Sequence, residues 1–212
     1  MTTAVRNWRP GKNLPGKPSD RVMVNGQILI PGQFPDLESF RRWCRSTEYP
    51  ERGEVFWLNG TIWVSDDMEQ AYTHNLIKMA IGAALTLLVQ QMKSGHVFGD
   101  RMRLCNPAAN LSCEPDLMFV SFATLTAGTV RQIPASTGGV IEFEGSPDMV
   151  LEVVTDSSAT KDLDLRDLYY AAGITEYSSA HRDGTDECAR ESSAGPFNLS
   201  RTQTRSGIQP SH

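Results

Sequence analysis

Residues 148–154 read Asp-Met-Val-Leu-Glu-Val-Val, a run apolar enough to demand burial that nevertheless carries a carboxylate near its middle. Such a run is a buried strand. Strand alternation puts Asp148, Val150, Glu152 and Val154 on one face and the remaining apolar side chains on the other. An ionised Glu152 in that setting is costly unless a cation pairs with it. The rest of the chain must supply or recruit that partner.

Around this strand the pattern is that of a mixed α/β (α+β) domain. Residues 35–46 predict a short helix with Leu37, Phe40 and Trp43 on one face. In 54–64 two β-prone runs meet at Asn59-Gly60, a dipeptide that accepts the positive φ of a type I′ turn. Residues 68–93 predict the longest helix, with Ile77, Ile81, Ala84, Leu85, Leu88 and Met92 forming one apolar stripe. Short strands are expected at 96–99, 102–105 and 116–121, and a weaker one at 140–143. A helix over 158–172 and a strand beginning at Thr175 complete the folded part. No repeat is present.

The 212 residues suffice for one domain. Residues 1–25, rich in Pro, Gly, Lys and Arg, read as a disordered leader, and 26–177 as the folded domain. Residues 178–212 hold only Phe197, Leu199 and Ile208 as sizeable apolar side chains, too few to offset ordering entropy, and read as a disordered tail. The net charge of −5 counts against a protein that simply coats DNA by electrostatics, and a carboxylate cluster filled by metal is compatible with it. The apolar run around Ile81 to Leu88 is too short to cross a bilayer, so no membrane is expected. The basic N-terminus lacks the apolar core of a secretory signal. Cys44, Cys105, Cys113 and Cys188 have no paired spacing and read as free thiols of a cytoplasmic protein.

Asp116, after Glu114-Pro115, opens a second strand. Two carboxylates on neighbouring strands can hold Mg²⁺, with water completing the shell. Such an ion polarises a phosphoryl oxygen and supplies hydroxide at neutral pH. On spacing alone two plainer readings stay open: Asp116 as a turn residue, and Glu152 paired with an arginine. Lys161 lies one turn before Leu165 on the inward row of its helix, so it faces the sheet near Glu152. A cation in a first helical turn opposes the helix dipole and needs a partner, either Glu152 or a phosphate; snorkelling is the alternative. His74 continues the stripe of the long helix, and Glu69 lies five positions earlier. Together they could move a proton or close a metal shell, or His74 is a satisfied residue at the core edge.

Three segments carry a family likeness: LNGTIWVSDDMEQAYTHN (58–75), LSCEPDLMFVS (111–121) and PDMVLEVVTDSSATKDLDLRDLYYAAGITEY (147–177). Over about residues 50–177 the chain resembles the Uma-two family of putative restriction endonucleases, within the PD-(D/E)XK nuclease superfamily. The resemblance implies a restriction-endonuclease-like core, a mixed β-sheet flanked by helices. It also implies an Mg²⁺- or Mn²⁺-dependent endonuclease acting on DNA. Asp116 matches the PD aspartate and Glu152 the (D/E)XK acid, both as metal ligands. Val154 stands where that motif has lysine; Lys161 is the best match for it on the following helix, with Arg166 second. Glu69 and His74 match helix positions beside the family's site. After Glu176-Tyr177 the family's Trp-rich strand is replaced by Ser178-Ser179-Ala180-His181, as in a frameshifted or truncated ending. One or more last strands are therefore expected to be missing, and a catalytically inactive remnant or interaction module of the same fold is the alternative reading. A homodimer stays open.

Overall fold

The computed structural model describes residues 2–5, 21–65, 74–99, 101–135, 138–154, 159–181, 198–199 and 203–204. In chain order the elements are β1 (Thr2–Val5), β2 (Arg21–Val24), β3 (Ile28–Pro31), α1 (Leu37–Cys44), β4 (Glu54–Leu58), β5 (Thr61–Ser65) and α2 (Leu76–Met92). They continue with β6 (Gly95–Gly99), β7 (Arg103–Asn106), β8 (Leu111–Cys113), β9 (Leu117–Ser121), α3 (Phe122–Ala127) and β10 (Val130–Pro134). β11 (Val140–Gly145), β12 (Met149–Val153), α4 (Ala159–Ala171), β13 (Glu176–His181), β14 (Asn198–Leu199) and β15 (Gln203–Thr204) complete them.

One sheet has the order β1-β5-β4-β8-β7-β11-β10, and a second runs β14-β13-β12-β9-β6, with β15 also paired to β13. Both are mixed: β7 and β11 are parallel, as are β12 and β13. The core joins the two sheets. Phe56, Leu104 and Leu111 of the first pack with Met118 and Val150 of the second, and Leu165 and Tyr169 of α4 join the same cluster. On the other face of the second sheet Ile77 of α2 packs with Leu117, Leu151, Val153 and Ala180. A mixed α+β architecture is what the patterning implies, and it is what forms.

Asn59 and Gly60 have φ of 48° and 87° and join β4 to β5 with Leu58 facing Thr61. Asn25 and Gly26 do the same between β2 and β3, at 50° and 70°. The boundary expected at 25/26 therefore falls inside a hairpin whose Val24, Ile28 and Ile30 are buried. The boundary expected at 177 falls inside β13, which pairs in parallel with β12 from Met149 opposite Glu176 to Val153 opposite Ala180. Backbone pairing carries that strand, and the small Ala180 is enough to fill its place against Ile77 and Val153. Among the described elements β1, β2, β3, β8, β10, α3, β14 and β15 are not expected from the patterning.

α1 begins at Asp36, whose carboxylate accepts from Ser39 N at 2.7 Å, a side-chain cap on the first turn. It is fastened to β11 by charge. Buried Arg41 pairs with Glu142 and, at 2.6 Å, with Glu144, while its Nη1 reaches Glu38 at 3.0 Å. Breaking one partner of a buried pair leaves the other charge uncompensated. Glu142→Ala should therefore lower the unfolding free energy by roughly 3–5 kcal/mol in urea titrations, and the double change Arg41→Met with Glu142→Leu should recover most of it. A single variant as stable as the double would show that the pair is solvated.

Candidate active site

The chain passes from the first sheet to the second through Glu114-Pro115-Asp116, between the end of β8 and the start of β9. Glu114 turns back into the first sheet. Its Oε1 pairs with Arg103 and accepts from the Tyr49 hydroxyl at 2.8 Å. The same hydroxyl accepts from Val55 N at 3.2 Å and from Arg103 at 2.7 Å, and Arg103 also donates to Val55 O at 3.3 Å. This network holds the first turn of β4 against the end of β8.

Asp116 turns to the second sheet. Its Oδ2 accepts from Val153 N at 2.7 Å, so the carboxylate lies against the peptide that follows Glu152. His74 Nε2 stands 3.3 Å from the same oxygen, and Lys78 Nζ is 3.7 Å from the other. Burial alone would raise the Asp116 pKa; His74, the Val153 N–H and Lys78 outweigh it and hold the carboxyl below the usual aspartate range.

Glu152 goes the opposite way. It is buried beneath α4, where the Tyr169 hydroxyl donates to its Oε1 at 2.5 Å. That hydroxyl also contacts Cys113 Sγ at 3.4 Å. Burial, and then the charge of Asp116, push the Glu152 pKa well above the usual value, with Lys161 and Tyr169 offsetting only part. Two neighbouring acids whose pKa values are driven apart in this way are suited to different roles.

Lys161 is buried, with its Nζ 4.4 Å from the centroid of the Phe56 ring and 3.9 Å from Asp162 Oδ1. Burial works to depress its pKa, but Glu152, then Asp162, Glu54 and Asp116, outweigh it and keep the ammonium charged. Snorkelling is therefore not its situation. Arg166, the second candidate for that role, instead bonds its exposed neighbour Asp167 at 3.0 Å. Glu69 lies outside the described residues.

Sequence reasoning missed four side chains at this place. Lys78 is one helical turn after His74 on the same side, a spacing that could have been read. Tyr169 and Asp162 could be placed only once α4 was docked. Glu54 opens β4 on the face it shares with Phe56, beneath Lys161. Burial first pushes its carboxyl up to about 7; Glu114 and Asp116 add to this, and Lys161 and Lys78 oppose it. Among the described residues no group of three or more His, Cys, Asp or Glu side chains is placed to hold a metal ion. What the geometry does bring together is Asp116 against the Glu152–Val153 peptide, with the charge of Asp116 felt by Glu152.

The family model Uma2, described as "Putative restriction endonuclease", matches residues 37–185. The chain belongs to the Uma2 family. The matched span runs from α1 through β13 and includes every residue of the site. A solved structure similar to this Uma2 chain is "a putative nuclease belonging to DUF820 from Anabaena variabilis ATCC 29413". It is 14% identical over 68% of this chain and 72% of its own, with a TM-score of 0.49. Among curated proteins there is no match. No helix of the described residues is long and apolar enough to cross a membrane.

Glu54 keeps its proton in the folded protein up to about pH 7, whereas an unfolded chain releases it near ~4.3. Between those values the folded state holds the extra proton, so metal-free stability falls as pH rises through that window. Glu54→Gln should melt with wild type at about pH 4 and above it at about pH 8, by on the order of 2 kcal/mol in chelator. Identical melts at the higher pH would show that Glu54 ionises there without penalty.

Proposed function

We propose that this Uma2 chain is a divalent-metal-dependent endonuclease that hydrolyses phosphodiester bonds in DNA. The observation that carries the reading is the hydrogen bond from Val153 N to Asp116, which brings the aspartate to the strand that carries Glu152. The donor set fits a hard cation: two carboxylates, one of them strained by burial and by its neighbour's charge, lose that strain when a cation arrives. Asp116 and Glu152 would hold Mg²⁺ or Mn²⁺, which supplies Lewis acidity and an activated water. Fewer than three grouped ligands is no obstacle for Mg²⁺, which keeps several waters.

The chain's own groups divide the remaining work. Lys161, charged in a buried position, stabilises negative charge growing on the phosphoryl oxygens. His74 and Lys78 keep Asp116 ionised and oriented. Tyr169 fixes the Glu152 carboxyl by its 2.5 Å bond. Glu54, whose pKa lies near neutrality, is placed to exchange a proton beside Lys161. Glu69 belongs to the same proposal through the resemblance alone.

A second reading, the same fold without turnover, draws on one observation: Val154, just past the end of β12, stands where a lysine would follow Glu152, leaving Lys161 of α4 as the buried cation beside that acid. Plasmid nicking separates the two. Wild type should nick supercoiled DNA only with Mg²⁺ or Mn²⁺, Glu152→Ala should be inactive, and Lys161→Met should lose roughly 10²–10³ in rate. Calorimetric metal binding without any nicking would select the inactive reading. Equal nicking by wild type and Glu152→Ala would remove the site altogether.

A further inference from the structure

The described arginines fall into two groups. Arg21, Arg41, Arg45, Arg103, Arg131 and Arg166 each pair with a carboxylate. Arg101 does not. Its Nη1 donates to Glu51 O at 2.7 Å and its Nη2 to Pro50 O at 3.0 Å. Both acceptors are main-chain carbonyls, so the guanidinium is positioned while its charge stays uncancelled. The residue is exposed, and a guanidinium has five N–H donors, so donors remain for a further acceptor. Arg101 also has φ of 61°, in the left-handed region that favours glycine, yet the position carries a long cationic side chain.

Two separate tethers place Arg101 beside the candidate site. It follows β6 by two residues, and β6 ends with Gly99 opposite Leu117. A Cβ added at Gly99 would stand 3.4 Å from Asp116 O, so the strand ends against the peptide of that acid. From the other side, the carbonyls that hold the guanidinium belong to the loop that leads through Gly53 into Glu54 of β4. Three residues of chain, from Glu51 to Glu54, span at most about 10 Å. Along one strand of B-DNA that is about three phosphates. Arg52 stands in the same loop, exposed, and pairs with no carboxylate among the described residues.

A chain of net charge −5 has no general attraction for DNA, so its contacts depend on cations that its own acids leave free. Lys78 and Lys161 are buried among the acids of the site. Arg52 and Arg101 are not. We propose that Arg101, with Arg52 in the loop it grips, holds the DNA backbone at a phosphate flanking the one that is cut, where the end of β6 meets the start of β4. This rests on the nuclease reading above and adds the path of the substrate strand past the proposed metal ligands. Two bonds to fixed carbonyls already order the Arg101 side chain, so little rotamer freedom is lost when a phosphate arrives. A contact of this kind positions the duplex and reads no sequence.

Fluorescence anisotropy with a short labelled DNA duplex, on the full chain in chelator and again with Ca²⁺, tests this with binding as the readout. Each phosphate contact contributes about 0.9 to the slope of log K against log salt. Arg101→Gln should therefore lower the wild-type slope by about 1 and weaken binding alike for unrelated sequences. Arg101→Lys keeps the charge but cannot span both carbonyls, and it should keep the slope; a Lys variant that matches the Gln variant would show bracing alone and overturn the proposal. Arg52→Gln touches neither bond of Arg101 and should also lower the slope by about 1, which decides the matter if Arg101→Gln fails to fold. Arg166→Gln, whose arginine already pairs with Asp167, should leave the slope unchanged; an equal fall there would mean that only net charge is felt. In plasmid nicking, Arg101→Gln should raise KM and leave kcat. A wild type that binds DNA with a slope unmoved by Arg101→Gln overturns this inference and leaves the nuclease reading standing. A wild type without affinity for the duplex in either condition removes that reading, and this one with it.

Discussion

The hydrogen bond from Val153 to Asp116 ends one ladder and begins a site. β9 and β12 pair antiparallel from Phe119 opposite Met149 to Leu117 opposite Leu151. The next N–H of β12 on that side belongs to Val153, and the strand that should receive it has already turned away at Pro115. A buried donor left there would cost as much as a lost hydrogen bond. The Asp116 side chain takes it at 2.7 Å, standing in for a backbone carbonyl. The price of that substitution is a carboxylate lodged beside Glu152.

Two buried acids in that position repel, and the surroundings divide them unequally. Asp116 receives an N–H, His74 and Lys78, all of which favour its anion. Glu152 receives one hydroxyl and the partial help of Lys161, while burial and Asp116 act against its ionisation. The result is a pair of acids whose pKa values are pushed in opposite directions. Glu54, also raised, sits on the far side of Lys161 and extends the same electrostatic economy to the first sheet. The ammonium of Lys161 is thus shared among four acids rather than matched to one.

Much of this was legible where a local rule suffices. The acid within 148–154 announces both the strand and the need for a partner, and Lys161 is assigned to the sheet by its place in the inward row of α4. Asn59-Gly60 announces its hairpin. Asn25-Gly26 carries the same signal, but the flanking runs are only four residues each and follow a Pro- and Gly-rich polar stretch that reads as unstructured. β8 is three residues long and β10 alternates weakly, so neither has a period to read; long-range pairing makes them strands. Glu54 was invisible for a related reason. A glutamate at the mouth of a hairpin looks solvated until α4 closes over it, and nothing in one sequence says which helix will do so.

Glu114-Pro115-Asp116 shows why the two sheets and the site are one problem. Proline gives up its N–H and fixes φ, so the connection between β8 and β9 cannot slide by a residue to find another register. The acids on either side of it then face opposite ways. Glu114 is drawn into the first sheet by Arg103 and Tyr49, the groups that also grip the backbone of Val55 beside Glu54. Asp116 is drawn into the second by Val153. A shift at either acid would therefore move the mouth of β4 relative to the end of β12, and with it the separation of Glu54, Lys161 and Glu152. The ion pair of Glu114 touches none of the proposed chemistry, yet it sets the distance across which that chemistry would work.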